Sequence, residues 1–217
     1  MENYEILKHI DHTLLKPVSS WEQIVKLCEE AIKYNTASVC IPPTFIKRVK
    51  DEYKDKLNIC TVIGFPLGYN TSDVKVFETQ KAVEEGADEI DMVINICDAK
   101  DHNFKNIENE IKLIRDACPN QILKVIIETC YLTEEEKVEI CKCVTNAGAD
   151  YIKTSTGFGT GGATIEDVKL LKKHIGADVK IKAAGGMKTK EDLVKFIEEG
   201  CDRLGTSSGV SLLTTQF

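Results

Sequence analysis

Stretches with helical spacing of apolar residues alternate with short apolar segments along the chain. The first long helical stretch follows Ser20, and its apolar positions recur every three or four residues: Trp21, Ile24, Val25, Cys28, Ala31 and Ile32. Ser20 with Gln23, and Thr133 with Glu136, have the spacing of a capping box at a helix start. Both stretches are therefore predicted helices.

A tripeptide that ends in aspartate recurs between helical and apolar stretches. Its four copies are Gly86-Ala87-Asp88, Gly148-Ala149-Asp150, Gly176-Ala177-Asp178 and Gly200-Cys201-Asp202. Glycine readily adopts the left-handed conformation that ends many helices, and an apolar run then follows directly. Each copy thus predicts a joint between a helix and a strand.

Eight short apolar segments are predicted strands, at residues 10–13, 37–41, 59–63, 89–94, 123–128, 151–153, 179–182 and 203–205. Strands that alternate with helices over 217 residues fit a closed (β/α)8 barrel, the TIM barrel of the α/β class. A chain of this length is expected to form a single domain, residues 1–217. A doubly wound open sheet is the alternative.

Composition narrows the class of protein. No apolar run approaches the roughly 20 residues of a membrane span, so no membrane partner is expected. The net charge of −7 argues against nucleic acid and would repel a phosphorylated substrate at long range. The nine cysteines form no C-x-x-C pair, which favours reduced, buried thiols. The start of the chain has neither a basic nor an apolar targeting region, so a cytoplasmic location is expected.

Chemistry in such a barrel lies at the C-terminal ends of the strands. The polar residues predicted there are Asp11, Thr13, Cys40, Asp91, Asn95, Glu128, Lys153, Thr154, Ser155 and Lys182. Strand alternation turns Lys153 and Lys182 toward the barrel interior on consecutive strands. Their ammonium groups are therefore expected to be neighbours.

Two neighbouring, buried lysines suggest amine catalysis. Burial and a like charge both disfavour the charged form of a lysine, and a neutral amine can attack a carbonyl to form a Schiff base. On this reading Lys153 is the nucleophile, Lys182 stays protonated, and Asp91 helps to move protons. The alternatives are solvated lysines at the rim and an Asp91 that only neutralises them.

Other polar residues carry weaker hypotheses. Glu128 could pair with Lys153 or Lys182, and Cys40 has no histidine nearby in sequence and reads as a packing residue. The histidines, His9, His12, His102 and His174, lack ligand spacing, so no catalytic metal is expected.

Three glycine-bearing segments follow the last three predicted strands, and the last two of them occupy the usual phosphate site of such barrels. The candidate contacts to phosphate or substrate in the three segments are Gly157, Gly185, Gly186, Ser207 and Ser208. Thr13 of the first strand is a further candidate. Lys188 could add a charge or could simply be solvated.

Several motifs together resemble the deoxyribose-phosphate aldolase family, in order along nearly the whole chain. They are Ile10-Asp11-His12-Thr13-Leu14-Leu15, Ser38-Val39-Cys40, Gly64-Phe65-Pro66-Leu67-Gly68, Glu89-Ile90-Asp91-Met92-Val93, Tyr151-Ile152-Lys153-Thr154-Ser155-Thr156-Gly157-Phe158, Lys182-Ala183-Ala184-Gly185-Gly186 and Gly205-Thr206-Ser207-Ser208. The stretch around Lys153 is the most specific of them.

The resemblance implies a Schiff base on Lys153 and proton relay by Asp91 and Lys182, without metal or cofactor. It implies reversible cleavage of 2-deoxy-D-ribose 5-phosphate to D-glyceraldehyde 3-phosphate and acetaldehyde, and a homo-oligomer, in the first place a dimer. Some family members use a C-terminal tyrosine, whereas this chain ends in Phe217, which has no hydroxyl to relay a proton. The rivals are a transaldolase-like enzyme and a phosphosugar-binding barrel without catalysis.

Overall fold

Eight parallel strands close into a barrel in the computed structural model, which describes residues 1–214. In chain order the strands are β1 Ile10–Thr13, β2 Ser38–Ile41, β3 Ile59–Ile63, β4 Glu89–Val93, β5 Ile122–Ile126, β6 Tyr151–Lys153, β7 Lys180–Ala184 and β8 Arg203–Thr206. β1 pairs with both β2 and β8, which closes the ring. The predicted TIM barrel is confirmed, the open sheet is wrong, and the predicted strand ends differ by at most two residues.

Helices follow the strands around the outside of the barrel. They are α1 Asn3–Leu7, α2 Trp21–Tyr34, α3 Ile46–Tyr53, α4 Ser72–Glu84, α5 Ile96–Lys100, α6 Phe104–Ala117, α7 Glu134–Asn146, α8 Ile165–His174, α9 Lys190–Glu199 and α10 Gly209–Thr214, with short 3₁₀ helices at Pro43–Phe45 and Thr129–Tyr131. In the part of the chain that the structure describes, no helix has the length and apolar character of a membrane span.

Both predicted capping boxes are present. Ser20 accepts a hydrogen bond from the backbone N–H of Gln23 at the start of α2, and Thr133 accepts one from that of Glu136 at the start of α7. The predicted apolar face of α2 is wrong at one position, because Ile32 is 39% exposed. Leu27 is buried in its place, which rotates the buried stripe toward Ile24 and Cys28.

The glycine of the repeated joint has the predicted left-handed conformation in three of the four copies. Gly86, Gly148 and Gly200 have positive φ, as a left-handed helix end requires. Gly176 does not adopt this conformation, so that prediction is wrong. Glycine is needed there for space, because a Cβ atom would lie 2.4 Å from Cγ2 of Thr145.

The aspartates of two joints fix the start of the preceding strand. The backbone N–H of Ile59 in β3 donates to Oδ2 of Asp88, and that of Leu123 in β5 donates to Oδ2 of Asp150. The repeated tripeptide therefore sets the alignment of neighbouring strands as well as the helix end.

The apolar core lies between the barrel and its ring of helices. The barrel interior is different, because charged side chains fill most of it: Asp11, Glu89, Asp91, Lys124, Lys153 and Lys182 are all buried. A small apolar cluster of Cys40, Cys60 and Val62 occupies the side formed by β2 and β3. Charge buried at this density has to be paired internally.

Candidate active site

Two lysines meet one carboxylate oxygen inside the barrel. Lys153 ends β6 and lies beside Lys182 of β7 in the strand register, as alternation predicts. The Nζ atom of Lys153 donates to Oδ2 of Asp91 at 2.8 Å, and Nζ of Lys182 donates to the same atom at 2.7 Å. The three residues named from the sequence therefore form one hydrogen-bonded group.

A third lysine holds the other oxygen of Asp91. Nζ of Lys124 lies 2.8 Å from Oδ1 of Asp91 and 2.5 Å from Oε2 of Glu89. The thiol of Cys60 also lies within hydrogen-bond range of Oδ1, at 3.2 Å. Asp91 is thus fixed from both sides, and its Oδ2 atom faces Lys153.

Asp11 and Arg203 extend this charged group below the site. Oδ2 of Asp11 lies 2.5 Å from Nζ of Lys182, and Oδ1 accepts from Arg203 at 2.6 Å. Arg203 also contacts Glu89 at 3.1 Å. Each buried charge therefore has a partner of opposite sign, which is the condition under which such charges are tolerated.

The pairing sets the protonation states. Burial alone would lower the pKa of Lys182, but Asp11 and Asp91 outweigh it and hold that pKa above its ordinary value. Burial alone would raise the pKa of Asp91, but Lys124, Lys153 and Lys182 hold it well below its ordinary value. Lys182 is therefore a cation and Asp91 an anion near neutral pH.

A pocket of about 380 Å³ opens above Lys153. Lys153 forms part of its lining, whereas Asp91 and Lys182 are fully buried beneath it. A ligand in the pocket can therefore reach the amine of Lys153 directly and the other two groups only through the base of the site. This arrangement suits a lysine nucleophile supported by buried acid and base groups.

The candidate phosphate or substrate contacts converge on the same pocket. All six line it: Thr13, Gly157, Gly185, Gly186, Ser207 and Ser208. Gly185 and Gly186 both have positive φ, a conformation that glycine permits without strain. Lys188 is not among the lining residues, and its backbone N–H binds Asp192 at 3.0 Å instead.

The profile of a family described as DeoC/LacD family aldolase matches residues 6–217. The chain belongs to this family. A curated relative named deoxyribose-phosphate aldolase, from Clostridium botulinum, is 64% identical over 213 residues, which cover 98% of this chain and 96% of the relative. The resemblance seen in the motifs is therefore confirmed.

Solved structures of aldolases share the fold. One, named QR15, an aldolase, is 40% identical with a TM-score of 0.92, and the match covers 96% of this chain and 94% of that one. Another is described as the unique tetrameric structure of deoxyribose phosphate aldolase from Aeropyrum pernix. It is 29% identical with a TM-score of 0.90, and the match covers 98% of this chain and 91% of that one. The family and the barrel architecture thus agree.

Glu128 has a different role from the salt bridge expected of it. Its carboxylate accepts from the backbone N–H of Thr156 at 3.1 Å and also from the Thr156 hydroxyl. Among the described residues, no ion pair within 4.0 Å joins it to Lys153 or Lys182. Glu128 lies beyond the end of β5, where its backbone is in the left-handed region at φ 55°. Glu128 therefore holds the loop after β6, which carries Gly157.

Cys40 is fully buried beside Cys60 and Val62, which confirms the packing role. A hydrogen bond with Cys60 lowers the pKa of Cys40 against the opposing effect of burial. Two buried groups have ligand atoms close enough for a metal in the described part of the chain, and they are Cys40 with Cys60 and Asp91, and Asp11 with Cys60 and Glu89. All three carboxylates already bind lysine or arginine, so a cation would have to displace those partners.

Sequence reasoning missed much of the charged interior. Lys124, Glu89 and Arg203 received no role, although Asp11 was recognised as a polar strand residue. The sequence does contain a signal for Lys124. In the predicted strand 123–128 it lies four positions before Glu128, and residues an even number of positions apart share one face of a strand. Lys16 and Thr206 also line the pocket and were not singled out.

Proposed function

We propose that this chain is a deoxyribose-phosphate aldolase that cleaves 2-deoxy-D-ribose 5-phosphate reversibly to D-glyceraldehyde 3-phosphate and acetaldehyde. The observation that carries the proposal is the sharing of Oδ2 of Asp91 by Lys153 and Lys182 at the base of the pocket. Names of curated relatives support the choice of substrate, and the placement of one lysine in the pocket supports amine catalysis.

Covalent chemistry begins at Lys153. Its amine attacks the C1 aldehyde of the open-chain sugar, and loss of water from the adduct leaves an iminium. A proton leaves the nitrogen as it bonds to C1, and Oδ2 of Asp91, 2.8 Å from Nζ, is the adjacent acceptor. The iminium then accepts the electron pair of the C2–C3 bond as that bond breaks.

The base of the site handles the remaining protons. The C3 hydroxyl gives up its proton as D-glyceraldehyde 3-phosphate forms, and Asp91 with Lys182 and a water molecule receives it. The enamine on Lys153 then takes a proton at C2, and hydrolysis of the resulting iminium releases acetaldehyde. Lys182, held as a cation by Asp11 and Asp91, supplies positive charge next to these steps.

The phosphate is proposed to bind at the loops after β6, β7 and β8. Gly157, Gly185 and Gly186 let the backbone approach an anion closely, and Ser207 and Ser208 add hydroxyl groups. A bulky residue at Gly186 or Ser208 should raise KM for the phosphorylated sugar much more than for free 2-deoxyribose. Equal effects on the two sugars would count against this phosphate site.

The wider setting follows from the same proposal. The enzyme works in the cytoplasm as a single-domain subunit of a homo-oligomer, in the first place a dimer, and needs neither metal nor cofactor. The description of the Aeropyrum pernix relative as tetrameric supports self-association in general. Gel filtration with light scattering measures the mass of the assembly, and a monomer at assay concentration would contradict this part.

Product analysis tests the reaction. The protein is incubated with 2-deoxy-D-ribose 5-phosphate in the presence of a metal chelator, and acetaldehyde and D-glyceraldehyde 3-phosphate are both measured. The reverse reaction compares acetaldehyde with dihydroxyacetone phosphate as donor. Equimolar products and a clear preference for acetaldehyde are expected, whereas a preference for the ketose donor would identify a transaldolase-like enzyme. Absence of turnover in both directions would favour a binding protein.

A further inference from the structure

The side chains that line the pocket above Lys153 include cations, while the nearest carboxylate, Asp91, lies beneath the lining and is paired with Lys153. The charged lining residues of the pocket, within the range 1–214, are Lys153 and Lys16, and no carboxylate is among them. This contrasts with the chain as a whole, whose net charge is −7. A lining that contains lysine and no carboxylate favours an anionic ligand at this position.

Lys16 lies on the phosphate side of the pocket. It follows β1, which pairs with β8, and His12 is in register with Thr206. The loop that carries Lys16 therefore adjoins the loop that carries Ser207 and Ser208, and all three residues line the pocket.

The backbone of Lys16 is fixed while its side chain is available. Its carbonyl oxygen accepts from the N–H of Ser19 at 3.0 Å and from the hydroxyl of Ser19 at 2.6 Å. The side chain is exposed, and in the described range its ammonium makes no ion pair within 4.0 Å. A flexible cation on an anchored loop can reach toward a bound anion without first breaking a salt bridge.

We propose that Lys16 binds the phosphate of the substrate and is the cation that selects phosphorylated over free sugars. The proposal rests on the proposed function and adds a residue to it. Lys153 is committed to the aldehyde carbon at the other end of the substrate, so Lys16 is the remaining cation among the described residues of the pocket lining. A charge-assisted hydrogen bond from its ammonium would add to the backbone and hydroxyl contacts of the loops after β7 and β8.

The test compares two sugars in three variants. Lys16→Ala should raise KM for 2-deoxy-D-ribose 5-phosphate roughly 5- to 50-fold and leave kcat/KM for free 2-deoxyribose within about twofold, since an exposed ammonium–phosphate contact contributes on that scale. Lys16→Arg should retain most of the wild-type KM. Lys173→Ala, an exposed lysine in the last turn of α8, is the control with the same change in net charge.

Salt dependence and anion binding provide independent measurements. The ratio of the two KM values should shift with ionic strength in the wild type and much less in Lys16→Ala, because an exposed charge contact is screened. Inorganic phosphate, titrated calorimetrically, should bind the wild type more tightly than Lys16→Ala. Three results would each overturn the role of Lys16. They are an equal loss of kcat/KM for both sugars in Lys16→Ala, an unchanged KM for the phosphorylated sugar in that variant, and identical binding of inorganic phosphate by the wild type and Lys16→Ala.

Failure of the proposed function is distinguishable from failure of this inference. A wild-type protein that cleaves neither sugar would refute the aldolase proposal, whereas the phosphate titration would still report on Lys16. If the wild-type protein cleaves both sugars and Lys16→Ala changes KM for both by the same factor, only the inference about Lys16 is refuted.

Discussion

Asp91 uses each of its two oxygens for a separate task. Lys124 and Cys60 hold Oδ1, while Oδ2 accepts from Lys153 and Lys182. The first contacts fix the carboxylate, and the second place it between the proposed nucleophile and its neighbouring cation. A side chain with this double engagement is sensitive to loss of charge and much less so to loss of volume.

Asp91→Asn tests this role at nearly constant volume. The amide keeps one acceptor oxygen but carries no charge, so it neither takes up a proton nor balances three lysines. We expect kcat to fall by about 10²- to 10⁴-fold, the usual size of a general acid–base contribution. Unfolding free energy should also fall by about 3–5 kcal/mol, because a buried charge loses its partner.

Single-turnover kinetics and denaturant unfolding of Asp91→Asn measure the two effects separately. Circular dichroism establishes that the variant is folded at the assay temperature. A folded Asp91→Asn protein with kcat within a few fold of the wild type would contradict the catalytic role and leave Asp91 as a neutralising ion pair.

The placement of a single residue was predictable where its position along one strand determines the direction of its side chain. Lys153, Lys182 and Asp91 could be named because alternation and strand ends locate them without knowledge of the partner strands. Glu128 could not be placed, because its direction depends on a left-handed backbone after β5. The contacts of Lys124 also depend on the register between β4 and β5, which one strand does not encode.

At the scale of elements, the joints between helices and strands determine the geometry of the barrel. Three glycines end helices in the left-handed conformation, while Gly176 serves a close approach to α7. Thr145 of α7 accepts from the backbone N–H of Gly176 at 2.9 Å and donates to the carbonyl of Cys141 at 2.8 Å. The two hydrogen bonds fix the threonine, so its methyl group cannot move aside easily.

Gly176→Ala should therefore destabilise the protein by about 1–3 kcal/mol, the usual cost of overpacking. Thr145→Ser removes the obstructing methyl group and keeps the hydroxyl that makes both hydrogen bonds. Combination of the two substitutions should recover part of the loss, which a double-mutant cycle of unfolding free energies measures. Strict additivity of the two changes would show that the contact between Cγ2 and the new methyl group is not the cause.

Elements themselves were largely predictable from periodicity and capping. The capping boxes of α2 and α7 are local signals, and the strands carry continuous apolar runs. The exposure of Ile32 was not predictable, because the direction in which α2 packs depends on its neighbours in the ring.

On the scale of the whole molecule, the barrel brings groups that are distant in sequence into one charged interior. Asp11 and Arg203 come from opposite ends of the chain and meet because β1 pairs with β8. Barrel closure also brings the loop that carries Lys16 beside the loop that carries Ser207 and Ser208, where phosphate is proposed to bind. Closure was predicted from the strand count, but the pairing of interior charges follows only from the complete register.

The charged interior predicts how stability depends on pH. Lys182, Lys124 and Arg203 outweigh burial and hold the pKa of Asp11 below its ordinary value, and Asp91 is affected in the same direction. Stability from these two groups is present above about pH 4, the ordinary pKa of an aspartate, and is lost as pH falls through their folded-state values. Unfolding free energy should therefore decline from about pH 5 downward.

Urea unfolding at a series of pH values measures that slope. Each additional proton bound by the unfolded chain contributes about 1.4 kcal/mol per pH unit. Asp11→Asn, which cannot titrate, should show lower stability at neutral pH but a shallower acid slope. An equal slope in the two proteins would mean that Asp11 does not contribute to the acid dependence.

Covalent trapping tests the central claim, that Lys153 is the Schiff-base nucleophile. The protein is treated with acetaldehyde and sodium borohydride, digested, and analysed by mass spectrometry, with Lys153→Met as the control. We predict one ethyl group on Lys153, none at Lys182 or Lys124, and no specific labelling of the control. Specific modification of Lys182, or the absence of any adduct on a folded wild-type protein, would contradict this account.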